Sequence, residues 1–330
     1  MSLMHKGNKV CIAGSNGMVG SAIYRLLIKK GYKVNSNSIL TLTRKDVDLS
    51  DYKEVLKWFE EFKPEIVIIA AAKVGGIMAN KNFPVSFLLE NLKIQNNLIE
   101  ASWKFSVKRL LFLGSSCIYP KFCKQPIKEE YLLSGELENS NQWYSIAKIS
   151  GLKLCQAYRE QYKLDAISAM PCNLYGPKDN YDLENGHVMA SLIRKFHEAK
   201  INNSKSITCW GSGKPLREFL YVDDLALACL KILENWNPDN LNTSLEDNKK
   251  SLNWINIGSN SEISIKELAE KIAYNVGFKG EIIWDQTKPD GTPRKKLEIT
   301  KIKNLGWEPK IDLDKGIKNA LACFKKEFQC

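Results

Sequence analysis

The sequence predicts an α/β fold: a doubly wound parallel sheet with a smaller, discontinuous α/β unit toward the C-terminus. Three observations predict it. Short apolar runs alternate with amphipathic stretches through the first 170 residues. A glycine-rich turn joins the first apolar run to the first amphipathic stretch. After Pro171 the texture changes: loops lengthen, and Gly, Pro, Asn and Asp become frequent.

In chain order, residues 9–13 read KVCIA, a short apolar strand, and 14–20 form the glycine-rich turn. Helical periodicity runs over 18–30 and stops at Gly31. A second strand covers 39–42. Residues 51–62 form an amphipathic helix ended by Pro64, because proline bars the preceding residue from helical geometry. Residues 65–70 are almost wholly apolar, as a strand becomes when helices cover both faces of its sheet. A long helix over 85–105, a strand over 109–114, a helix over 143–162 and a strand over 166–170 continue the alternation.

Beyond Pro171 the pattern predicts a helix over 188–199, a strand over 206–210 and a helix over 223–234. A polar surface loop over 235–251 follows, then a strand over 254–257 that returns to the first sheet. A helix over 264–275 begins at Ser264, with Glu267 at the capping-box position, and a terminal helix covers 313–326. The expected division is 8–177 plus about 215–260 for the first domain, and about 178–214 plus 261–330 for the second. There are no repeats and no low-complexity tracts.

With 330 residues, 44% hydrophobic and 26% charged, the chain suits a folded enzyme and not a disordered segment. The longest apolar run, 66–72, is far short of the roughly 18 residues a membrane helix needs. No apolar signal core opens the sequence, so a cytoplasmic location is expected. The net charge of +11 favours anionic ligands. The basic residues are scattered, with no aromatic interleaving of the kind nucleic-acid surfaces show. Nine cysteines without a C-x-x-C pair, and only His5, His187 and His197, argue against a metal centre. Unpaired thiols on this scale fit a reducing compartment.

Gly14-Ser15-Asn16-Gly17-Met18-Val19-Gly20 follows a strand and opens a helix. Missing side chains let the backbone approach a pyrophosphate, and the helix N-terminus supplies oriented N–H groups. The context predicts a Rossmann-like, dinucleotide-binding domain. At the end of the second strand the chain reads Leu42-Thr43-Arg44-Lys45, with no acid at the tip to repel a 2′-phosphate. Arg44 can pair with that phosphate, so NADP(H) is the expected cofactor. Asp48 and Leu49 lie just beyond and can face the adenine.

Tyr144 and Lys148 are four apart in a predicted helix and share a face. Ser115 lies just past the fourth strand, at the carboxyl edge where such sheets bind ligands. An ammonium beside the phenol is expected to lower the tyrosine pKa from about 10. The tyrosine can then exchange a proton with a substrate oxygen while hydride moves to or from carbon.

With these residues the chain resembles the extended short-chain dehydrogenases that act on nucleotide sugars, and more closely the GDP-L-fucose synthase family. The blocks that carry the resemblance are AAKVGGI from Ala71, LGSSCIYP from Leu113, YSIAK from Tyr144, NLYGP from Asn173, WGSG from Trp210, REF from Arg217 and KPDGTPR from Lys288. They stand in the family's order and run through nearly the whole chain. The resemblance implies an NADPH-dependent reductase acting at C4 of a GDP-4-keto sugar, with inversion at C3 and C5. It implies that Cys117 is the base and His187 the acid of that inversion. It adds Ala71, Ala72 and His187 to the cofactor side, and Pro171, Asn173 and Leu174 are expected to line the nicotinamide because they follow a sheet strand. It places GDP against Lys195, Trp210, Arg217 and Asp290, and implies a homodimer packed through the helices over 85–105 and 143–162. Asn16, Cys172 and Ala190 depart from the family's pattern, and Ala190 is expected to reshape the sugar pocket.

Three other readings use the same residues. A C4 reductase without epimerase activity would act on a related GDP-4-keto sugar such as a heptose. A UDP-sugar 4-epimerase would hold its NAD tightly. A non-catalytic NADP sensor would bind without turnover, although such proteins usually lose the Tyr/Lys pair that is intact here.

Overall fold

The computed structural model describes residues 2–33, 38–239, 252–288 and 290–328. The chain runs β1 (Val10–Ala13), α1 (Met18–Lys29), β2 (Ile39–Leu42), α2 (Tyr52–Phe62), β3 (Ile66–Ile69), α3 (Ile77–Asn82), α4 (Pro84–Lys104), β4 (Arg109–Leu113), α5 (Gln142–Tyr162), β5 (Ala166–Pro171), β6 (Asn173–Tyr175), α6 (Val188–Ile201), β7 (Ser206–Trp210), β8 (Leu216–Tyr221), α7 (Val222–Asn235), β9 (Trp254–Ile257), β10 (Glu262–Ser264), α8 (Ile265–Val276), β11 (Glu281–Asp285), β12 (Arg294–Lys295), α9 (Thr300–Asn304) and α10 (Leu313–Phe328). The predicted polar loop over 235–251 lies outside the described residues from 240 onward.

Six strands form the main sheet in the order β2-β1-β3-β4-β5-β9, with every pair parallel. β3 reads IVII, and all four residues are fully buried. That burial follows from helices on both faces: α1 packs with α7, and α4 with α2 and α5. Proline in the first turn of α4 costs nothing, because its missing N–H has no partner within the helix there. β2 lies on one side of β1 and β3 on the other. The carboxyl ends of β1 and β3 therefore flank the crevice in which an open α/β sheet takes ligands.

A second core gathers Phe196 and Ile193 of α6, Leu268 and Ile272 of α8 and Ile317 of α10. Ser264 and Glu267 form the predicted capping box. A further sheet, in which β8 pairs β6, β10 and β12, lies along the chain's route between the two cores. The sequence pattern missed α3, α9 and the strands β6, β8, β10, β11 and β12, which run from two to six residues. In β8 the pair Arg217-Glu218 masks the apolar signal of Leu216 to Tyr221. Glu218 is fully buried there, accepting from the backbone N–H groups of Asn260 at 2.7 Å and Leu297 at 3.0 Å. Among the described residues no helix is long and apolar enough to cross a membrane.

Candidate active site

The glycine-rich turn sits at the switch point. Gly14 has φ +85°, and a Cβ there would lie 2.7 Å from the backbone nitrogen of Ala71, just after β3. A Cβ on Gly20 would lie 2.2 Å from the Gly14 carbonyl oxygen, so these two glycines fold the turn against its neighbours. Gly17 differs. It caps α1 without a side-chain hydrogen bond, and the nearest atom to a Cβ there would be 3.5 Å away. The bare backbone of Gly17 and the first residues of α1, Met18 and Val19, face a cleft of about 500 Å³. Helix-start N–H groups have no partner within the helix, so this cradle fits a pyrophosphate. Gly14, Ser15, Asn16, Gly20 and Ala71 shape or flank the turn without lining the cleft, whereas Ala72 lines it.

At the tip of β2, Arg44 and Lys45 are exposed. The two following carboxylates fold back on their own turns. Asp46 accepts from Thr43 N and Oγ1 at 2.9 and 2.7 Å, and Asp48 from Ser50 N and Oγ at 2.9 and 2.8 Å. Those Ser50 hydrogen bonds hold Asp48 below the usual carboxylate range. Leu49 is buried in the main core, so its side chain does not present a surface to an adenine.

Ser115 caps a single 3-10 turn, Ser116–Ile118, its hydroxyl oxygen accepting from Cys117 N at 3.2 Å. Tyr144 lies in the first turn of α5 and Lys148 one turn on. The Ser145 hydroxyl donates to the Cys117 carbonyl at 2.8 Å and locks α5 onto the 3-10 turn. Ser115, Cys117, Tyr144 and Lys148 all line the cleft, as do Pro171, Asn173 and Leu174 at the end of the main sheet.

The electrostatics correct one expectation. Lys148 Nζ donates to the Leu113 carbonyl at 2.9 Å and sits 5.9 Å from the Tyr144 ring centroid. Burial brings its pKa down to about 8. The Tyr144 phenol is pushed up, not down, first by burial and then by the neighbouring Cys117, with only the Ser115 hydroxyl opposing. The phenol is therefore held in its protonated, donor form. The ammonium is turned toward a backbone carbonyl, and its own burial weakens the field the sequence argument assigned to it.

Cys117 behaves in the opposite way. Burial alone would raise its thiol, but Lys295, the Ser115 hydrogen bond and Arg217 together bring it below the ordinary thiol value. Lys295 Nζ donates to the sulfur at 3.4 Å. His187 caps α6 at the cleft wall, its Nδ1 3.9 Å from Asp179 Oδ1. Asp179 is buried, and its second carboxylate oxygen has no hydrogen-bond partner.

Lys195, Trp210, Arg217 and Asp290 line the same cleft. The ammonium groups of Lys195 and Lys288 lie 6.0 and 5.5 Å from the Trp210 ring centroid. Asp290 uses both carboxylate oxygens on Ser212, accepting from its N at 2.7 Å and its Oγ at 2.8 Å, so its first task is folding that turn. Arg217 Nη2 donates to the Asp290 carbonyl at 3.4 Å. Ala190 is buried in the second core and does not line the cleft, so its departure from the family's pattern does not reach the pocket wall directly. Sequence reasoning missed Lys288, Lys295 and Glu218. Lys288 stands inside a quoted block and Lys295 immediately after it, so the run Arg294-Lys295-Lys296 was the available signal.

Among the described residues no group of three or more His, Cys, Asp or Glu is placed to hold a metal ion. The described cysteines are all free thiols. Residues 10–243 match the NAD dependent epimerase/dehydratase family. The chain is 49% identical over 316 residues to GDP-L-fucose synthase 1 of Arabidopsis thaliana, covering 96% of this chain and 93% of that one. It is 45% identical to the GDP-L-fucose synthase of Escherichia coli strain K12, covering 96% of each. Among solved structures, MlghC, a GDP-mannoheptose C4 reductase from Campylobacter jejuni with NADP bound, is similar at 36% identity with a TM-score of 0.83. That match covers 98% of this chain and 99% of the other.

Proposed function

We infer the reaction from one fact: this chain belongs to the GDP-L-fucose synthase family, a branch of the NAD dependent epimerase/dehydratases. It inverts C3 and C5 of a GDP-4-keto-6-deoxy sugar and reduces the C4 ketone. NADPH, when bound, supplies the hydride. The observation that carries this reading is the convergence of Ser115, Tyr144, Lys148 and Cys117 on one cleft that is also lined by Gly17, Met18 and Val19 and by Lys195, Trp210 and Arg217.

Gly17, Met18 and Val19 receive the cofactor pyrophosphate on their backbone, and Arg44 meets the 2′-phosphate. Lys148 holds the nicotinamide ribose, and Pro171, Asn173 and Leu174 wall the ring. Arg217 and Lys195 meet the GDP diphosphate, with Trp210 as an aromatic surface beside it. The C4 ketone acidifies the hydrogens on C3 and C5. The Cys117 thiolate takes one such proton, the electron pair moves onto the carbonyl oxygen, and His187 returns a proton to the opposite face. Ser115 then positions the C4 oxygen and Tyr144 donates its proton to it.

The test is spectrophotometric, in deuterated water, with GDP-4-keto-6-deoxymannose and its heptose analogue compared. The expected result is NADPH oxidation with the deoxy sugar, a slower rate with NADH, and deuterium at C3 and C5 of the product. Turnover with no deuterium at either carbon excludes inversion and leaves a C4 reductase. That second reading has one observation in its favour, the likeness to the mannoheptose C4 reductase.

A cytoplasmic homodimer packed through α4 and α5 belongs to the same reading. Val85, Leu89, Trp143 and Ile146 leave apolar side chains exposed on those two helices. Sedimentation at micromolar protein is expected to give the dimer mass, and a monomer there removes this part of the proposal.

A further inference from the structure

Neither the glycine turn nor the Ser/Tyr/Lys group accounts for Lys295. It comes from β12, and its ammonium donates to the Cys117 sulfur at 3.4 Å across 178 residues of sequence. We propose that Lys295 is the positioning residue of the inversion chemistry, a fixed cation that holds Cys117 as a thiolate facing the sugar. The proposal deepens the reading above and rests on it for the identity of the substrate.

Three observations support a placed cation over a passing surface lysine. First, β12 pairs in register with β8, so Lys295 stands opposite Arg217, and both cations act on the same sulfur. Second, the chain is anchored immediately after the contact. Lys296 N donates to Gln125 Oε1 at 2.9 Å, Ile127 N donates to the Lys296 carbonyl at 2.7 Å, and Leu297 N donates to buried Glu218 Oε2 at 3.0 Å. Third, Lys295 is partly shielded from water and lines the cleft, where an ammonium acts more strongly than on an open surface.

The groups facing the sulfur come from four elements. Ser115 belongs to its own turn, Tyr144 to α5, Arg217 to β8 and Lys295 to β12. Tyr144 is neutral and Ser115 is a hydrogen-bond partner, so the two cations supply the charge. Arg217 is also set against the GDP diphosphate and is acted on by Glu138. Its field is shared between anions, whereas Lys295 makes the direct contact. A base that must be ionised before it can take a carbon-bound proton gains from such a partner.

The experiment measures the thiol itself. The chain of 330 residues is alkylated with iodoacetamide from about pH 5 to 9, and modification of Cys117 is read by peptide mass spectrometry. The wild type is expected to show an inflection below the ordinary thiol value of about 8.5. Lys295→Met is expected to move it upward and slow alkylation at pH 7 about tenfold, with Lys295→Arg restoring the profile. Lys295→Gln gives the same reading if the Met variant fails to fold. A Cys117 profile unchanged by loss of the ammonium overturns the assignment, whether or not the enzyme inverts its sugar. A shifted profile in a protein that takes up no deuterium upholds the ion pair and overturns the epimerase reading instead.

Discussion

Tyr144→Phe is expected to lower NADPH-dependent reduction by about 10²–10⁴-fold, the range a positioned general acid contributes. The substitution removes one oxygen and keeps the ring. Tyr144 packs edge-on to Phe87 with centroids 6.5 Å apart, and that contact survives in the variant. The fold is therefore spared, and the loss reports on the hydroxyl. The wild-type phenol is kept protonated by burial and by its Cys117 neighbour, which suits a group that must give up a proton when C4 receives hydride. Cys117 and His187 remain in place, so deuterium exchange at C3 and C5 is expected to continue while reduced product nearly disappears. The measurement is a pair of rates on one preparation: NADPH consumption at 340 nm, and deuterium in the recovered ketone. Full reducing speed in the Phe variant removes Tyr144 as the acid.

Local pattern made the first half of this machinery legible. The strand–glycine turn–helix of residues 10–29 needs only neighbours in sequence, and the structure places Gly14 against Ala71 at the switch point. Tyr144 and Lys148 share a helical face, and a helix over that stretch follows from its periodicity. The second half depends on strands too short or too charged to carry a period. β12 is two residues long, and β8 contains Arg217-Glu218. Their register, which sets Lys295 opposite Arg217, is a tertiary fact with no local signature. The direction of the Tyr144 shift was misread for a related reason. Spacing told that an ammonium was near, but not that both groups were buried or that Lys148 would point at the Leu113 carbonyl.

The second large effect separates the two chemistries. Cys117→Ser is expected to cut deuterium uptake at C3 and C5 by about 10²–10⁴-fold while C4 reduction continues. Serine keeps nearly the same volume, and Ser145 still donates to the carbonyl of residue 117, so the 3-10 turn and its link to α5 are retained. What is lost is an ionisable base. A thiol brought below its ordinary value by Lys295 and Arg217, against the upward pull of burial, is available as thiolate near neutral pH, and an alcohol in the same field is not. The sign of the pH dependence follows. In the wild type, exchange should fall as pH drops through the lowered thiol value, because protonation removes the base. In the Ser variant that step should vanish with the activity. Ser115, Tyr144 and Lys148 are untouched, so the ketone should be reduced without inversion, giving a product of altered C3 and C5 configuration by NMR. Exchange at the wild-type rate in Cys117→Ser would assign the base to another group, and His187 would be the next residue to substitute.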